Sequence, residues 1–175
     1  MRKAEIRIAT VDDATHISVL GQRTFSETFG HLFTDKQDLL HYVEITFSVP
    51  KITASLHKLS NVFWIAFVDE KPIGYAKLKL DSPTEFVDVT AICQLQKIYV
   101  LKEFLSLKIG SELQERLLDK ARALSYEYIW LSVLHSNDRA IQFYEKNGFD
   151  LIGNHNFTIG QEHFDFFAMG KKLNQ

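Results

Sequence analysis

The sequence predicts an α/β fold built as one domain over residues 1–175. Polar and apolar residues alternate over 5–10 and again over 72–80, which is typical of half-buried strands. Between Leu113 and Leu124 the apolar residues instead recur at helical spacing. The chain of 175 residues is 46% hydrophobic and 24% charged, and it shows no internal repeat, low-complexity tract or linker. That size and composition suit one domain rather than two.

The first third of the chain is predicted to be mainly helical. Residues 5–10 form a first strand, after which Thr10 or Asp12 can cap a helix. Apolar residues at helical spacing continue over 25–59. Pro50 divides this stretch into two or three short helices, because proline disrupts a helix interior.

The remaining two thirds are predicted to be rich in strands. Residues 61–69 and 72–80 form a hairpin, and 90–101 adds a further strand. The later elements are, in order, an amphipathic helix from Ser111, a buried strand at 128–134, a helix at 137–147 ended by Gly148, and strands near 149–157 and 162–170. The predicted order is therefore βααα, βββ, α, β, α, ββ, with seven strands.

Charge and hydropathy exclude several classes of protein. The formal net charge of -2 gives no overall attraction to nucleic acid or to an anionic membrane surface. The longest apolar run, 62–68, is far shorter than the ~20 residues that a membrane-spanning helix needs. The N-terminus lacks the apolar stretch of a secretory signal, and Cys93 as the one cysteine cannot form a disulfide within the chain. We therefore expect a cytoplasmic protein in which Cys93 is a buried structural thiol.

Most common catalytic motifs are missing from the sequence. It contains no GxSxG, GxxxxGK[ST], CxxC, HExxH or GxGxxG motif. The seven histidines show no metal-ligand spacing beside a third ligand, so no metal is predicted.

One group of segments points to a specific chemistry. It consists of the strand 95–100, the loop 101–110, the helix from Ser111 and the segment 136–149. The last segment carries a motif of spaced residues: Asn137, Ala140, Phe143, Tyr144, Gly148 and Phe149. Together these segments resemble the GNAT superfamily of acetyl-CoA-dependent N-acetyltransferases. The resemblance implies a single-domain GNAT fold with a mixed, mostly antiparallel sheet of about seven strands flanked by helices, and acetyl-CoA as co-substrate.

The resemblance also assigns a cofactor loop, and this chain departs from the family pattern there. In the family a [QR]-x-x-G-x-[GA] loop and the following helix start hold the CoA pyrophosphate by backbone N–H groups. The matching positions are Leu105, Ser106, Leu107, Lys108, Ile109, Gly110 and Ser111. Leu105 replaces the usual Gln or Arg, and Lys108 replaces the first glycine. Lys108 restricts the backbone but adds a cation that can reach phosphate. The alternative is a simple helix-entry turn.

Further roles follow from the resemblance. Tyr144 is expected to be the general acid that protonates the departing CoA thiolate; the alternative is an aromatic core residue. Backbone groups of Ile98, Tyr99 and Val100 would pair with the pantetheine arm, and the N–H of Tyr99 or Val100 would polarise the thioester carbonyl. Asn137 is expected to anchor the pantetheine amide. Lys146 could reach a CoA phosphate, although a solvated helix lysine explains it equally well.

The N-terminal third resembles the PaiA-like branch, the bacterial spermidine and spermine acetyltransferases. The resemblance rests on Thr24, Phe25, Glu27, Thr28 and Phe29. It implies a polyamine acceptor and an acceptor-site role for Phe25 and Phe29. These two rings at i and i+4 could equally pack a helix against the sheet.

The general base and the acceptor are not fixed by the sequence. Glu27 and His31 are candidates for the base, and surface or capping roles account for both as well. Residues 81–94 carry three carboxylates and no Lys or Arg, so they could steer a polyamine or form a solvated hairpin tip. A peptide N-terminus or lysine side chain is an alternative acceptor. A CoA-binding sensor without turnover is the rival from another class, and a homodimer is left open.

Overall fold

The computed structural model describes residues 3–174. Seven strands and five α-helices follow one another in the predicted order, which is confirmed. They are β1 (Ala4–Ile8), α1 (Ala14–Phe29), α2 (Lys36–Thr46), α3 (Val49–His57), β2 (Asn61–Val68), β3 (Lys71–Lys79), β4 (Ile92–Val100), α4 (Ile109–Ala123), β5 (Tyr128–Leu134), α5 (Asp138–Lys146), β6 (Asp150–Ile159) and β7 (Glu162–Lys172). Short 3₁₀ turns cover Val11–Asp13, Gly30–Leu32 and Lys102–Leu107.

The seven strands form one sheet in the order β1-β2-β3-β4-β5-β7-β6. Every neighbouring pair is antiparallel except β4 and β5, which run parallel. A parallel pair needs a crossover connection, and α4 supplies it. The mixed, mostly antiparallel sheet that the resemblance implied is confirmed.

Helix ends follow local capping chemistry. Pro50 lies in the first turn of α3, where a missing N–H is harmless, and Ser48 caps this helix by accepting a hydrogen bond from the N–H of Lys51 at 3.3 Å. Asp35 caps α2 through the N–H of Gln37 at 2.8 Å. Thr10 opens a 3₁₀ turn that leads into α1 rather than capping α1 itself.

The sheet is covered on both faces. On one face α4 packs Leu113 and Leu117 against strand residues such as Leu78. On the other face α1, α2 and α3 bury Phe47 against β2 and β3, where Tyr75 is fully inaccessible. Within residues 3–174, no helix is both long and apolar enough to cross a membrane.

An ion pair between an exposed arginine and a buried aspartate links β1 to the turn that leads into α1. The two carboxylate oxygens of Asp13 each accept a 2.8 Å hydrogen bond from the guanidinium of Arg7, and one of them also accepts from the N–H of Thr10 at 2.8 Å. Asp13 is only 4% exposed. The hydrogen bond from Arg7 is the main reason that the pKa of Asp13 lies below its usual value.

The pKa of Asp13 is lower in the folded protein than in the unfolded chain. The ionised carboxylate should therefore stabilise the folded protein above the usual carboxyl pKa, and this stabilisation should be lost as the pH falls through the pKa of Asp13 in the folded protein. We expect Asp13→Asn to lower the free energy of unfolding by about 1 kcal/mol at pH 7 and by clearly less at pH 3. Urea unfolding at both pH values measures this difference. Asp12→Asn, an exposed change in the same turn, is the control. A pH-independent loss would contradict the ion-pair explanation.

Candidate active site

The parallel strands β4 and β5 separate soon after they pair. They are paired only between 92–94 and 128–130, whereas β4 continues to Val100 and β5 to Leu134. The N–H of Leu101 donates to the carbonyl of Ile73 in β3 at 2.9 Å. Because successive N–H groups of a strand alternate in direction, those of Ile98 and Val100 point away from β3, toward the opening. The edge of β4 therefore offers unpaired backbone groups to an extended ligand.

A cavity of about 420 Å³ lies at this opening. Its walls come from α1, α2, β4, the end of β5, α5 and the β6–β7 hairpin. Six of the predicted site residues line it: Phe25, Phe29, Ile98, Tyr99, Asn137 and Tyr144. The rings of Phe25 and Phe29 lie 4.7 Å apart, and Phe25 also packs on Tyr42 at 4.9 Å. Phe25 and Phe29 therefore contribute both to helix packing and to the cavity wall.

The helix α5 positions two of these residues. Asn137 caps it by accepting a hydrogen bond from the N–H of Ala140 at 3.3 Å, which engages the side-chain oxygen and leaves the amide NH₂ to donate. Tyr144 packs edge-on against Phe149 at 5.6 Å. Burial raises the pKa of Tyr144 above its ordinary value. Its hydroxyl is thus a proton donor throughout the physiological pH range.

The loop before α4 has the conformation that glycine prefers. Lys108 has φ 58° and ψ 24°, in the left-handed region. The first backbone hydrogen bond of α4 runs from the N–H of Glu112 to the carbonyl of Lys108. The N–H groups of Ile109, Gly110 and Ser111 therefore lack intrahelical partners, as in an anion-binding helix start. This loop and Val100 do not line the 420 Å³ cavity; they lie at the end of β4 beside it.

We expect Lys108→Gly to raise the free energy of unfolding by about 0.5 to 1 kcal/mol, because it removes the cost of a left-handed non-glycine residue. The same change removes a cation, so acetyl-CoA binding should weaken about 5- to 10-fold at low salt and less at high salt. Lys108→Ala is the matched variant that removes the charge and keeps the strain. Calorimetry at two ionic strengths and urea unfolding measure both effects; tighter, salt-independent binding by Lys108→Gly would show that Lys108 only obstructs the loop.

Three other predicted residues lie outside the cavity lining. Glu27 pairs with Arg23 at 2.9 Å and accepts from the N–H of Lys102 at 3.1 Å, so its carboxylate ties α1 to the turn after β4. His31 is exposed in the turn Gly30–Leu32. Lys146 is exposed on α5. Neither Glu27 nor His31 lines the cavity that contains Tyr144.

The predicted carboxylates of 81–94 also lie elsewhere. Asp81 accepts a 2.8 Å hydrogen bond from the hydroxyl of Tyr126, and with Asp88 it lines a separate surface cavity. This cavity lies next to the start of β4, whereas the loop before α4 follows the end of β4. Asp81 and Asp88 are thus not part of the wall around Tyr144.

Sequence reasoning missed several polar groups of the cavity wall, among them His155, Ser132 and Lys97. His155 Nε2 lies 2.7 Å from the hydroxyl oxygen of Ser132, and the imidazole stacks on Phe166 at 5.3 Å. Lys97 lines the same cavity from β4. No local motif marks these residues, because β7 separates β5 from β6 in the sheet and only the tertiary fold brings Ser132 and His155 together.

Comparisons with known proteins agree with this architecture. The acetyltransferase (GNAT) family model matches residues 23–149. An uncharacterized N-acetyltransferase of Lactobacillus delbrueckii subsp. lactis is 28% identical over 92% of both chains, and one of Mycobacterium bovis is 24% identical over 92% of this chain and 98% of its own. The chain belongs to the GNAT acetyltransferase family, and it is an acetyl-CoA-dependent N-acetyltransferase.

Solved structures share the fold. The PaiA N-acetyltransferase of Thermoplasma acidophilum, in complex with coenzyme A, superposes with a TM-score of 0.76 at 23% identity, covering 97% of this chain and 99% of that one. The ribosomal-protein-S18-alanine N-acetyltransferase of Escherichia coli gives a TM-score of 0.72 at 18% identity, with coverage of 99% and 96%. These two likenesses show that the chain shares its fold with both proteins.

Proposed function

We propose that this protein transfers the acetyl group of acetyl-CoA to a primary amine by direct attack, with Tyr144 as general acid. The observation that carries the proposal is that Tyr144 and the open edge of β4 border one cavity. A catalytic acid and a row of oriented backbone donors at one opening are what acyl transfer from a thioester requires.

The residues around the opening fit acetyl-CoA. The gap between β4 and β5 can take the pantetheine arm as an added strand, held by the N–H groups of Ile98 and Val100. The amide of Asn137 can donate to the same arm from the opposite wall. At the end of β4, the N–H groups of Ile109, Gly110 and Ser111, which lack intrahelical partners, would hold the pyrophosphate, and Lys108 would add a positive charge there.

Acetyl-CoA supplies an activated acyl carbonyl and a thiol leaving group; the protein supplies polarisation and protons. Of the two predicted carbonyl donors, Tyr99 has its N–H directed toward β3, so Val100 is the residue that would polarise the carbonyl. The amine nitrogen forms the new bond to carbon as the carbon–sulfur bond breaks. The hydroxyl proton of Tyr144 passes to the departing thiolate.

The amine must lose a proton as it attacks, and His155 is the base that we propose. It is the one histidine among the described residues of the cavity wall, and the 2.7 Å contact with Ser132 fixes its ring. The imidazole can accept the proton directly or through the Ser132 hydroxyl. His155 takes the place of Glu27 and His31, whose side chains lie outside the cavity lining.

The class of acceptor is the open part of the proposal. A polyamine follows from the resemblance of the segment around Phe25 to the PaiA-like branch, and a peptide amine is the alternative. Neither Asp nor Glu occurs among the described residues that line the cavity, and Lys97 contributes a cation to it. A polycation would therefore meet no opposite charge there, so the cavity itself gives the polyamine prediction no electrostatic support.

The test is release of CoA from acetyl-CoA in the presence of a panel of amines: spermidine, spermine, amino acids, a peptide with a free N-terminus and a lysine peptide. Mass spectrometry of the product identifies the acetylated nitrogen. Calorimetry with acetyl-CoA alone separates binding from turnover. Folded protein that binds acetyl-CoA and acetylates nothing would favour the sensor alternative, and absence of binding at millimolar acetyl-CoA would overturn the cofactor site.

A further inference from the structure

A second cavity lies beside the first, on the face of the sheet that α1, α2 and α3 cover. It measures about 230 Å³ and lies between the α2–α3 segment and the strands β2, β3 and β4. Gln96 and Lys97 line both cavities, so the second is adjacent to the proposed site of acetyl transfer. Among the described residues its wall contains three lysines, Lys51, Lys77 and Lys97, and no carboxylate.

Two of these lysines are directly opposed. Lys77 of β3 and Lys97 of β4 are cross-strand partners, so both side chains project from the same face of the sheet. Like charges in this position repel each other. Each ammonium group rests on aromatic rings, Lys77 on Phe63 at 5.4 Å and Lys97 on Phe47 at 4.9 Å. Within residues 3–174 neither ammonium forms an ion pair, so cation–π contacts are the only compensation described.

Two further polar groups of this wall lack partners. Tyr75 is fully buried, and its hydroxyl has no hydrogen-bond partner among the described residues. The side-chain oxygen of Gln96 is buried and unpartnered in the same way. Unsatisfied buried polar groups are rare in folded proteins and costly. The Tyr75 hydroxyl and the two ammonium groups can all donate to one acceptor, whereas the Gln96 oxygen needs a donor.

Burial also changes the acidity of these groups. It lowers the pKa of both Lys77 and Lys97 to about 8, and the neighbouring lysines lower the pKa of Lys77 further in the same direction. It raises the pKa of the Tyr75 hydroxyl well above its ordinary value, so Tyr75 remains a donor. An anion placed among these groups would favour the charged lysines and accept the Tyr75 hydrogen bond.

We propose that Lys77, Lys97 and the hydroxyl of Tyr75 form an anion subsite next to the acetyl-transfer cavity, and that the acceptor is a primary amine that also carries a carboxylate or a phosphate group. The inference rests on the proposed acetyl transfer. The ammonium end of the same acceptor can donate to Gln96, which lines both cavities. A polyamine, which has no anionic group, offers no acceptor to Lys77, Lys97 or the Tyr75 hydroxyl.

Matched acceptors test the anion directly. Each pair keeps the amine and removes the charge: an amino acid against its carboxamide, and phosphoethanolamine against ethanolamine, with spermidine as the polycation. We expect kcat/KM to be at least tenfold higher for the anionic member of one pair. Preference within the first pair identifies a carboxylate acceptor and preference within the second a phosphate acceptor. Equal rates within both pairs, or a preference for spermidine, would overturn the subsite.

Variants connect the preference to the two lysines. Lys97→Met and Lys77→Met should each reduce the ratio of kcat/KM for the anionic acceptor to kcat/KM for its uncharged partner at least tenfold. Lys97→Arg should retain part of this ratio. Lys79→Met is the matched control, since Lys79 is exposed on the same strand and lines neither cavity. A ratio that survives in Lys97→Met and Lys77→Met would show that cation–π packing is the whole role of these lysines.

A binding measurement keeps this inference separate from the proposed function. Without acetyl-CoA, the melting temperature of the protein should rise with millimolar concentrations of the preferred anionic amine and not with its uncharged partner, and the rise should vanish in Lys97→Met. This result would support the subsite even if no amine were acetylated, in which case the acetyl-transfer proposal alone would fail. No rise with any anionic amine would overturn the subsite whatever the turnover.

Discussion

Replacing Tyr144 by phenylalanine is expected to lower kcat by about 10²- to 10⁴-fold, which is the usual contribution of a positioned general acid. The dissociation constant of acetyl-CoA should change less than about twofold, because the hydroxyl serves the leaving thiolate rather than cofactor binding. Single-turnover kinetics and calorimetry measure the two quantities. Since the pKa of Tyr144 is raised, deprotonation of this residue should not limit the wild-type rate up to about pH 10.

Tyr42→Phe is the matched control for this experiment. Tyr42 lines the same cavity from α2, so the variant removes a phenolic hydroxyl from another part of the wall. Its kcat should stay within about threefold of the wild type, since this hydroxyl has no assigned proton transfer. An unchanged single-turnover rate in Tyr144→Phe with the best amine would remove Tyr144 from the chemistry.

Gly21→Ala is expected to destabilise the protein although Gly21 lies in the interior of α1. Alanine in place of glycine within a helix normally adds about 1 kcal/mol to stability. Here a Cβ on Gly21 would lie 2.9 Å from Cε1 and 3.0 Å from Cγ of Phe47, and closer still to Cδ1. Phe47 is fully buried, and its carbonyl accepts a hydrogen bond from the Ser18 hydroxyl on α1. The ring thus has little room to move.

The steric overlap between a Cβ at Gly21 and the Phe47 ring determines whether Gly21→Ala stabilises or destabilises the protein. Overpacking of a buried ring costs about 3 kcal/mol, which outweighs the helix-propensity gain and leaves a net loss of about 2 kcal/mol. Thermal unfolding should show a melting temperature lower by roughly 4 to 8 °C. Gly30→Ala is the control, because Gly30 has a helical φ of −58° and a new Cβ would contact only Leu39, at 3.4 Å. Equal stability changes in the two variants would contradict the steric argument.

The order of elements could be predicted because the spacing of apolar residues within each segment is typical of either a strand or a helix. The alternation of β3 and the leucines of α4 are local signals, and so is the motif that ends in Tyr144 and Phe149. Small errors fall at the boundaries: the β2–β3 turn lies at Asp69 and Glu70 rather than one residue later, and both residues have positive φ. A two-residue hairpin turn with left-handed backbone is usually marked by glycine in the sequence, and Asp69-Glu70 contains none.

The polar wall of the cavity could not be predicted in the same way. The alternation over 72–80 suggests that Lys77 faces solvent, yet helices cover both faces of the sheet and Lys77 lies beneath α3. His155 meets Ser132 across an intervening strand, a contact that depends on the complete sheet order. Glu27 matches the family pattern in sequence. In the structure its carboxylate pairs with Arg23 and accepts from the N–H of Lys102, so it contacts the turn after β4.

The short pairing between β4 and β5 has a consequence for how the protein opens. Cys93 occupies the middle of that three-residue ladder, opposite Ile129, and its thiol lies 3.6 Å from the carbonyl of Tyr128. Burial raises the pKa of Cys93 to about 12, so the closed protein resists thiol reagents. The rate at which a disulfide reagent modifies this one cysteine therefore reports how often the two half-sheets part. A ligand that bridges β4 and β5 would slow this modification. The modification rate of Cys93 therefore measures how often these two strands separate, with and without ligand.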